Sequence, residues 1–157
     1  MSAYRLSDDD ALLYHALGLA IKEFNVPLIR YLDLYLLVDR HEGDKRVLAE
    51  RARAWRIERA LFASIRQLTM VFPEIAPKIE PLPDTLLSPR VKAILDTRVI
   101  RSPLRPRTAP KRREQLWRKW QLMDGYRERL GFLIYHAWSL AAGRVMERRA
   151  GVRSDRK

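Results

Sequence analysis

Apolar residues recur at a helical period along most of this chain. Leu13, Leu17, Ala20, Ile21 and Phe24 form one stripe. It is opened by Ser7-Asp8-Asp9-Asp10, where Ser7 can cap a first helix and three carboxylates meet the positive end of its dipole. Asn25-Val26-Pro27 interrupts the pattern and restarts it, with Pro27 suited to a first helical turn. The second helix then runs to about Arg40. His41-Glu42-Gly43-Asp44 reads as a turn, Gly43 stopping one helix and Asp44 capping the next. Residues 45–72 carry two helices in tandem. The first runs from Lys45 to about Arg53, and Trp55-Arg56 marks a bend. The second places Ile57, Leu61, Ser64, Ile65, Leu68, Val71 and Phe72 on one face.

Five prolines between Pro73 and Pro89 make a proline-rich connection. Ser88-Pro89 then starts a short helix over 89–97. Residues 98–113 hold seven basic residues, three prolines and no acid, the composition of an extended loop. A last long helix is predicted over about 112–149, bent at Gly125, with a frayed tail over 151–157. No run alternates as a strand, and no internal repeat is present. The expectation is an all-α fold: a single helical bundle of five to seven helices over 1–150.

The second helix is unusual. Val26 to Arg40 is apolar almost all the way round, yet Arg30 and Asp33 stand in its interior at i, i+3 and so on one face. A helix apolar on every side is expected to be buried. A buried charge must be paired or hydrogen-bonded, because desolvating it alone costs several kcal/mol. Arg30 and Asp33 therefore read either as a salt link that fixes helix packing or as a site that positions a phosphate or a partner. His15, on the first helix and off its main stripe, is the candidate third member of this polar cluster.

Charge adds a regional asymmetry. The 157-residue chain has a formal net charge of +12. Residues 1–43 hold four basic and seven acidic side chains, whereas 44–157 hold 27 and 12. A basic half suits a polyanion or an acidic partner, or it is simply a solvated face. Arg98, Arg101, Arg105, Arg107, Lys111, Arg112 and Arg113 are the candidate polyanion-binding residues. This stretch has no aromatic side chain to stack on bases, which argues against a single-strand platform. With no cysteine, disulfides, thiolate nucleophiles and cysteine-bound zinc are excluded. Together with an N-terminus that lacks a signal pattern, this fits the reducing cytoplasm. No apolar run approaches the ~20 residues of a membrane span.

Complete catalytic motifs are absent from the sequence. Three scattered histidines, His15, His41 and His136, make no metal set, and there is no glycine-rich phosphate loop. Neither a metal nor a cofactor is expected on this chain. Arg129 and His136, seven apart, resemble the Arg-x6-His signature of HEPN-domain ribonucleases. There a histidine acts on the 2′-hydroxyl and an arginine stabilises phosphate charge. Leu130 stands where family members usually carry a polar residue.

A broader resemblance covers most of the chain. Tyr14-His15-Ala16, then Leu28-Ile29-Arg30-Tyr31-Leu32-Asp33-Leu34, resembles a bacterial family of uncharacterised nucleotidyltransferases of the DNA-polymerase-β-like superfamily. It continues through Arg51-Ala52-Arg53-Ala54-Trp55-Arg56-Ile57-Glu58-Arg59-Ala60-Leu61 and returns in Trp120-Gln121-Leu122-Met123-Asp124. Such enzymes bind metal and triphosphate on a small sheet with a Gly-Ser motif and an Asp-x-Asp pair, and two-metal transfer needs those converging carboxylates. This sequence has no Gly-Ser dipeptide. The resemblance therefore implies the helical C-terminal half alone, inactive by itself, binding a nucleotide, a polyanion or a separate catalytic nucleotidyltransferase chain. His15, Arg30 and Asp33 would be its polar cluster. The non-catalytic nucleic-acid binder and the HEPN-like ribonuclease stand as alternatives.

Overall fold

The computed structural model describes residues 6–22, 24–79, 82, 86–98, 100 and 112–135. Among them every regular element is helical and none is a strand. By packing, the chain divides into two units, Met1–Asp124 and Gly125–Lys157.

The first unit starts with α1 (Asp8–Ile21). Ser7 has extended backbone and its Oγ accepts from the Asp10 amide at 3.2 Å, the N-cap read from the sequence. The helix closes through a left-handed residue, Phe24, with φ of 58° and its amide on the Leu19 carbonyl at 2.8 Å. A phenylalanine is costly in this conformation. Two contacts hold it there. Its ring is buried in the core, and its carbonyl accepts from the Tyr31 hydroxyl at 3.1 Å.

Pro27 stands just before α2 (Leu28–Arg40). Asp44 caps α3 (Lys45–Ala54) by accepting from the Arg46 amide at 2.8 Å. The bend after α3 has a definite geometry. The Ile57 amide reaches back to the Ala52 carbonyl, the Arg56 amide to Arg53, and Arg56 is left-handed with φ of 56°. Those paired bonds form a Schellman closure, which satisfies the last carbonyls of α3.

The chain then enters α4 (Glu58–Val71), the central helix. Every residue from Ala60 to Ile65 is buried, as are Gln67 and Leu68. It packs against α1, α2, α3 and two later helices, α6 (Pro89–Arg98) and α7 (Arg112–Leu122). A 3₁₀ turn, Pro73–Ile75, and the single turn α5 (Ala76–Ile79) lie between.

Two of the buried side chains on α4 are polar, and both are satisfied. Ser64 donates to the Ala16 carbonyl of α1 at 2.8 Å. Gln67 lies 2.9 Å from the Tyr31 hydroxyl of α2. These bonds fix how α1 and α2 sit on α4, since a slide of either helix would leave a buried polar group unpaired.

Two expectations need correction. Helix α2 is not buried on every side. It sends Tyr31, Leu34 and Val38 into the core and leaves Leu28, Ile29, Leu32 and Leu36 exposed. The second correction concerns the long C-terminal helix. Helix α7 stops at Leu122, residues 123–125 are not helical, and a separate helix, α8, spans 126–135 in the second unit. Its Tyr126, Leu130, Leu133, Ile134 and Tyr135 are exposed. Residues 136–149 of the predicted helix and the 151–157 tail lie outside the described residues.

Candidate functional site

Helices α1 and α2 bring His15, Arg30 and Asp33 together. His15 Nε2 lies 3.7 Å from Asp33 Oδ2, and Arg30 Nη1 lies 3.8 Å from the same oxygen. Both separations exceed hydrogen-bond range, so the cluster is an electrostatic grouping. It is also more open than a buried pair: the side chains are 21%, 59% and 40% exposed for His15, Arg30 and Asp33. The expectation of a buried Arg30–Asp33 link is therefore corrected. Both side chains of the pair reach solvent, so the desolvation that would demand tight pairing does not arise. His15 Nε2 is shielded from solvent and makes no hydrogen bond. Asp33 Oδ1 takes no part in either of the two contacts.

A second cluster escaped the sequence reading. Asp9, expected only as a dipole-compensating acid, pairs with His41 Nε2 at 2.6 Å, and the His41 side chain is 6% exposed. Arg51 of α3 reaches both acids, with Nε 3.5 Å from Asp9 and Nη1 2.7 Å from Asp10. The Ser7 hydroxyl donates to Asp10 at 2.7 Å. That bond first, and the Arg51 guanidinium second, hold the Asp10 carboxyl below its ordinary value. Gly43 packs on the His41 ring: a Cβ built there would stand 2.9 Å from Nε2. This network ties the start of α1 to the end of α2 and to α3. Beside it lies a cleft lined by Leu12, Val38, His41, Lys45, Leu48, Ile65, Lys78, Ile79 and Leu82. Its free volume of about 20 Å³ holds a water and no organic ligand.

A third polar group closes the first unit. Asp124 accepts from the Arg59 backbone amide at 3.2 Å and pairs with Arg59 Nε at 3.2 Å, while Arg59 Nη1 donates to the Gln121 carbonyl. Ile57, at the N-cap of α4, has no side-chain acceptor to offer. The cap is supplied from the far side of the sequence instead.

The other predicted site residues fall partly on described helices and partly outside the described residues. Arg98 ends α6, and Arg112 and Arg113 begin α7. Arg101, Arg105, Arg107 and Lys111 lie outside the described residues, so the arrangement of the polyanion-binding set is not placed. Arg129 lies on α8. His136 lies outside the described residues, and the Arg129–His136 pair is not placed. Among the described residues no three histidine, aspartate or glutamate side chains gather as a metal site, and no helix is long and apolar enough to cross a membrane.

Comparison with protein-family models, with curated proteins and with solved structures finds no match to this chain.

Proposed function

We propose that this chain is the helical half of a nucleotidyltransferase. It would act with a catalytic partner that carries the metal-binding carboxylates, and it would be inert in transfer alone. One observation carries the reading: His15 of α1 meets Arg30 and Asp33 of α2 in one loosely bonded cluster whose arginine and aspartate reach solvent. Ser64, Gln67 and Asp124, by contrast, are buried or nearly so and hydrogen-bonded, as groups with a packing role should be. Arg30 keeps most of its guanidinium in solvent and can present paired N–H donors to a phosphate or carboxylate. Asp33 orients it. His15, packed behind Asp33, limits where that carboxylate can turn.

Among the described residues Asp33 joins no group of three metal-binding side chains, and two-metal transfer needs several carboxylates that converge. A metal-dependent step therefore belongs to the partner. The purified chain, incubated with labelled nucleoside triphosphates and magnesium, is expected to show no nucleotidyl transfer. Robust transfer by the chain alone would overturn the proposal. With a sheet-bearing partner supplied (a neighbouring reading frame with Gly-Ser and Asp-x-Asp is the one to express), transfer should appear. Arg30→Ala should then lower it at least about tenfold, the loss expected for one charged contact to a transferring phosphate.

A further inference from the structure

Helix α8 of the second unit shows an apolar stripe to solvent. Tyr126, Leu130, Leu133 and Ile134 are 78%, 45%, 49% and 61% exposed. Their spacing of i, i+4, i+7 and i+8 puts all four on one face. At about 100° per residue they fill an arc of about 100°, and Arg127 and Arg129 fall just beyond its two edges. Glu128 lies on the opposite side of the helix. The order around α8 is thus an apolar stripe, a cation at each border and an acid behind. Four large apolar groups side by side on an exposed helix mark a contact surface. Among the described residues no helix is long and apolar enough to cross a membrane, so any lipid that meets this stripe meets it at the bilayer surface.

We infer that α8 lies on an anionic lipid surface. The placement of charge selects that occupant. With α8 parallel to a bilayer, its four apolar side chains enter the boundary between headgroups and acyl chains. Arg127 and Arg129, at the two borders, lay their apolar stems along that boundary and carry their guanidinium groups to the lipid phosphates. Glu128 stays on the water side. Two other occupants fit less well. A second copy of the stripe, parallel or antiparallel, sets arginine borders against arginine borders, so like charges meet. A nucleic acid engages the arginines through its phosphates and leaves the apolar stripe unused. The formal net charge of +12 adds a long-range attraction toward the same anionic surface. The inference is independent of the proposed function and uses none of its residues.

Flotation of the full chain with large unilamellar vesicles tests this. Vesicles of phosphatidylcholine and phosphatidylglycerol should bind it at least about tenfold more tightly than phosphatidylcholine alone. Leu130→Ser/Ile134→Ser keeps the net charge and should lower the partition coefficient at least about tenfold, with an unchanged circular dichroism spectrum. Arg127→Gln/Arg129→Gln should also lower it at least about tenfold. Arg40→Gln/Arg46→Gln removes the same charge from exposed positions of the first unit and should change it by less than about threefold. A wild type that does not float, or that binds phosphatidylcholine alone as well, overturns the inference. So does a serine variant that binds like the wild type, which marks adsorption by charge only, or a loss as large in the Arg40/Arg46 variant as in the Arg127/Arg129 one.

Discussion

Glycine-to-alanine substitution should act with opposite sign at Gly18 and Gly43, and the structure supplies both magnitudes. Gly18 lies inside α1, not in the left-handed region, and a Cβ there meets nothing within 4 Å. Alanine therefore costs nothing in packing and removes the entropic penalty of glycine, a gain of about 0.5–1 kcal/mol. For a unit of this size that raises the melting temperature by about 3 °C. Gly43 also has an ordinary φ, so the backbone allows alanine. There, however, the new Cβ would stand 2.9 Å from His41 Nε2, 3.0 Å from Cε1 and 3.4 Å from Asp9 Oδ1. The imidazole is enclosed, so it can yield only by leaving its 2.6 Å contact with Asp9. Loss of a charge-assisted hydrogen bond costs about 1.5–3 kcal/mol, which exceeds the entropic gain. Gly43→Ala should thus lower the melting temperature by several degrees. Thermal melts followed by circular dichroism, at concentrations well below any self-association, measure both. If Gly43→Ala melted at or above the wild type, the Asp9–His41–Arg51 network would not be a stabilising element.

Three further outcomes follow from the same packing. Tyr31→Phe removes the hydroxyl that meets both Gln67 and the Phe24 carbonyl and should cost about 1–3 kcal/mol in urea denaturation; a second change, Gln67→Leu, should cost much less in that background than in the wild type. Asp124→Ala strips the cap from α4 and leaves Arg59, only 17% exposed, without its carboxylate, so a loss of about 2–3 kcal/mol is expected. The folded-state pKa of Asp10 is depressed, chiefly by the Ser7 hydroxyl and then by Arg51, so its contribution is present above the ordinary value of 3.8 and fades as pH falls through the lower folded value. Asp10→Asn should therefore flatten the loss of melting temperature below that pH, and an unaltered acid limb would refute the assignment.

The helices were legible where their signals are local. Ser7 and Asp44 cap the helices they precede in the chain, and the tandem helices flank the bend at Trp55-Arg56, because capping and turn chemistry act over a few residues. What a helix packs against is not local. The periodicity of α2 records how many apolar residues it has and not which of them a neighbour covers, so Ile29 and Leu36 read as core although they are exposed. Reciprocity at long range was equally hidden. His41 finds Asp9 from 32 residues away, and Asp124 caps α4 from 65 residues away. In sequence each of these side chains sits in a turn or beside a helix end, where a simpler local role accounts for it. Helical register put Arg30 and Asp33 on one face of α2, but the openness of that face was not legible.

The polar groups of the first unit follow two different rules. Ser64, Tyr31, Gln67 and Asp124 are buried or nearly so, and each makes contacts of about 3 Å that would be lost if a helix moved. Such groups specify packing, and their cost of burial is met by their bonds. The cluster on α1 and α2 follows another rule. Its separations are close to 4 Å, its arginine is mostly in solvent, and one histidine nitrogen has no hydrogen bond. Surface charges held this loosely contribute little to stability. Arg30→Ala is therefore expected to leave the unfolding free energy within about 0.5 kcal/mol of the wild type, measured by denaturant titration. A loss of 2 kcal/mol or more, on the order of a buried pair, would assign Arg30 to the fold and remove the reason for placing function at this cluster.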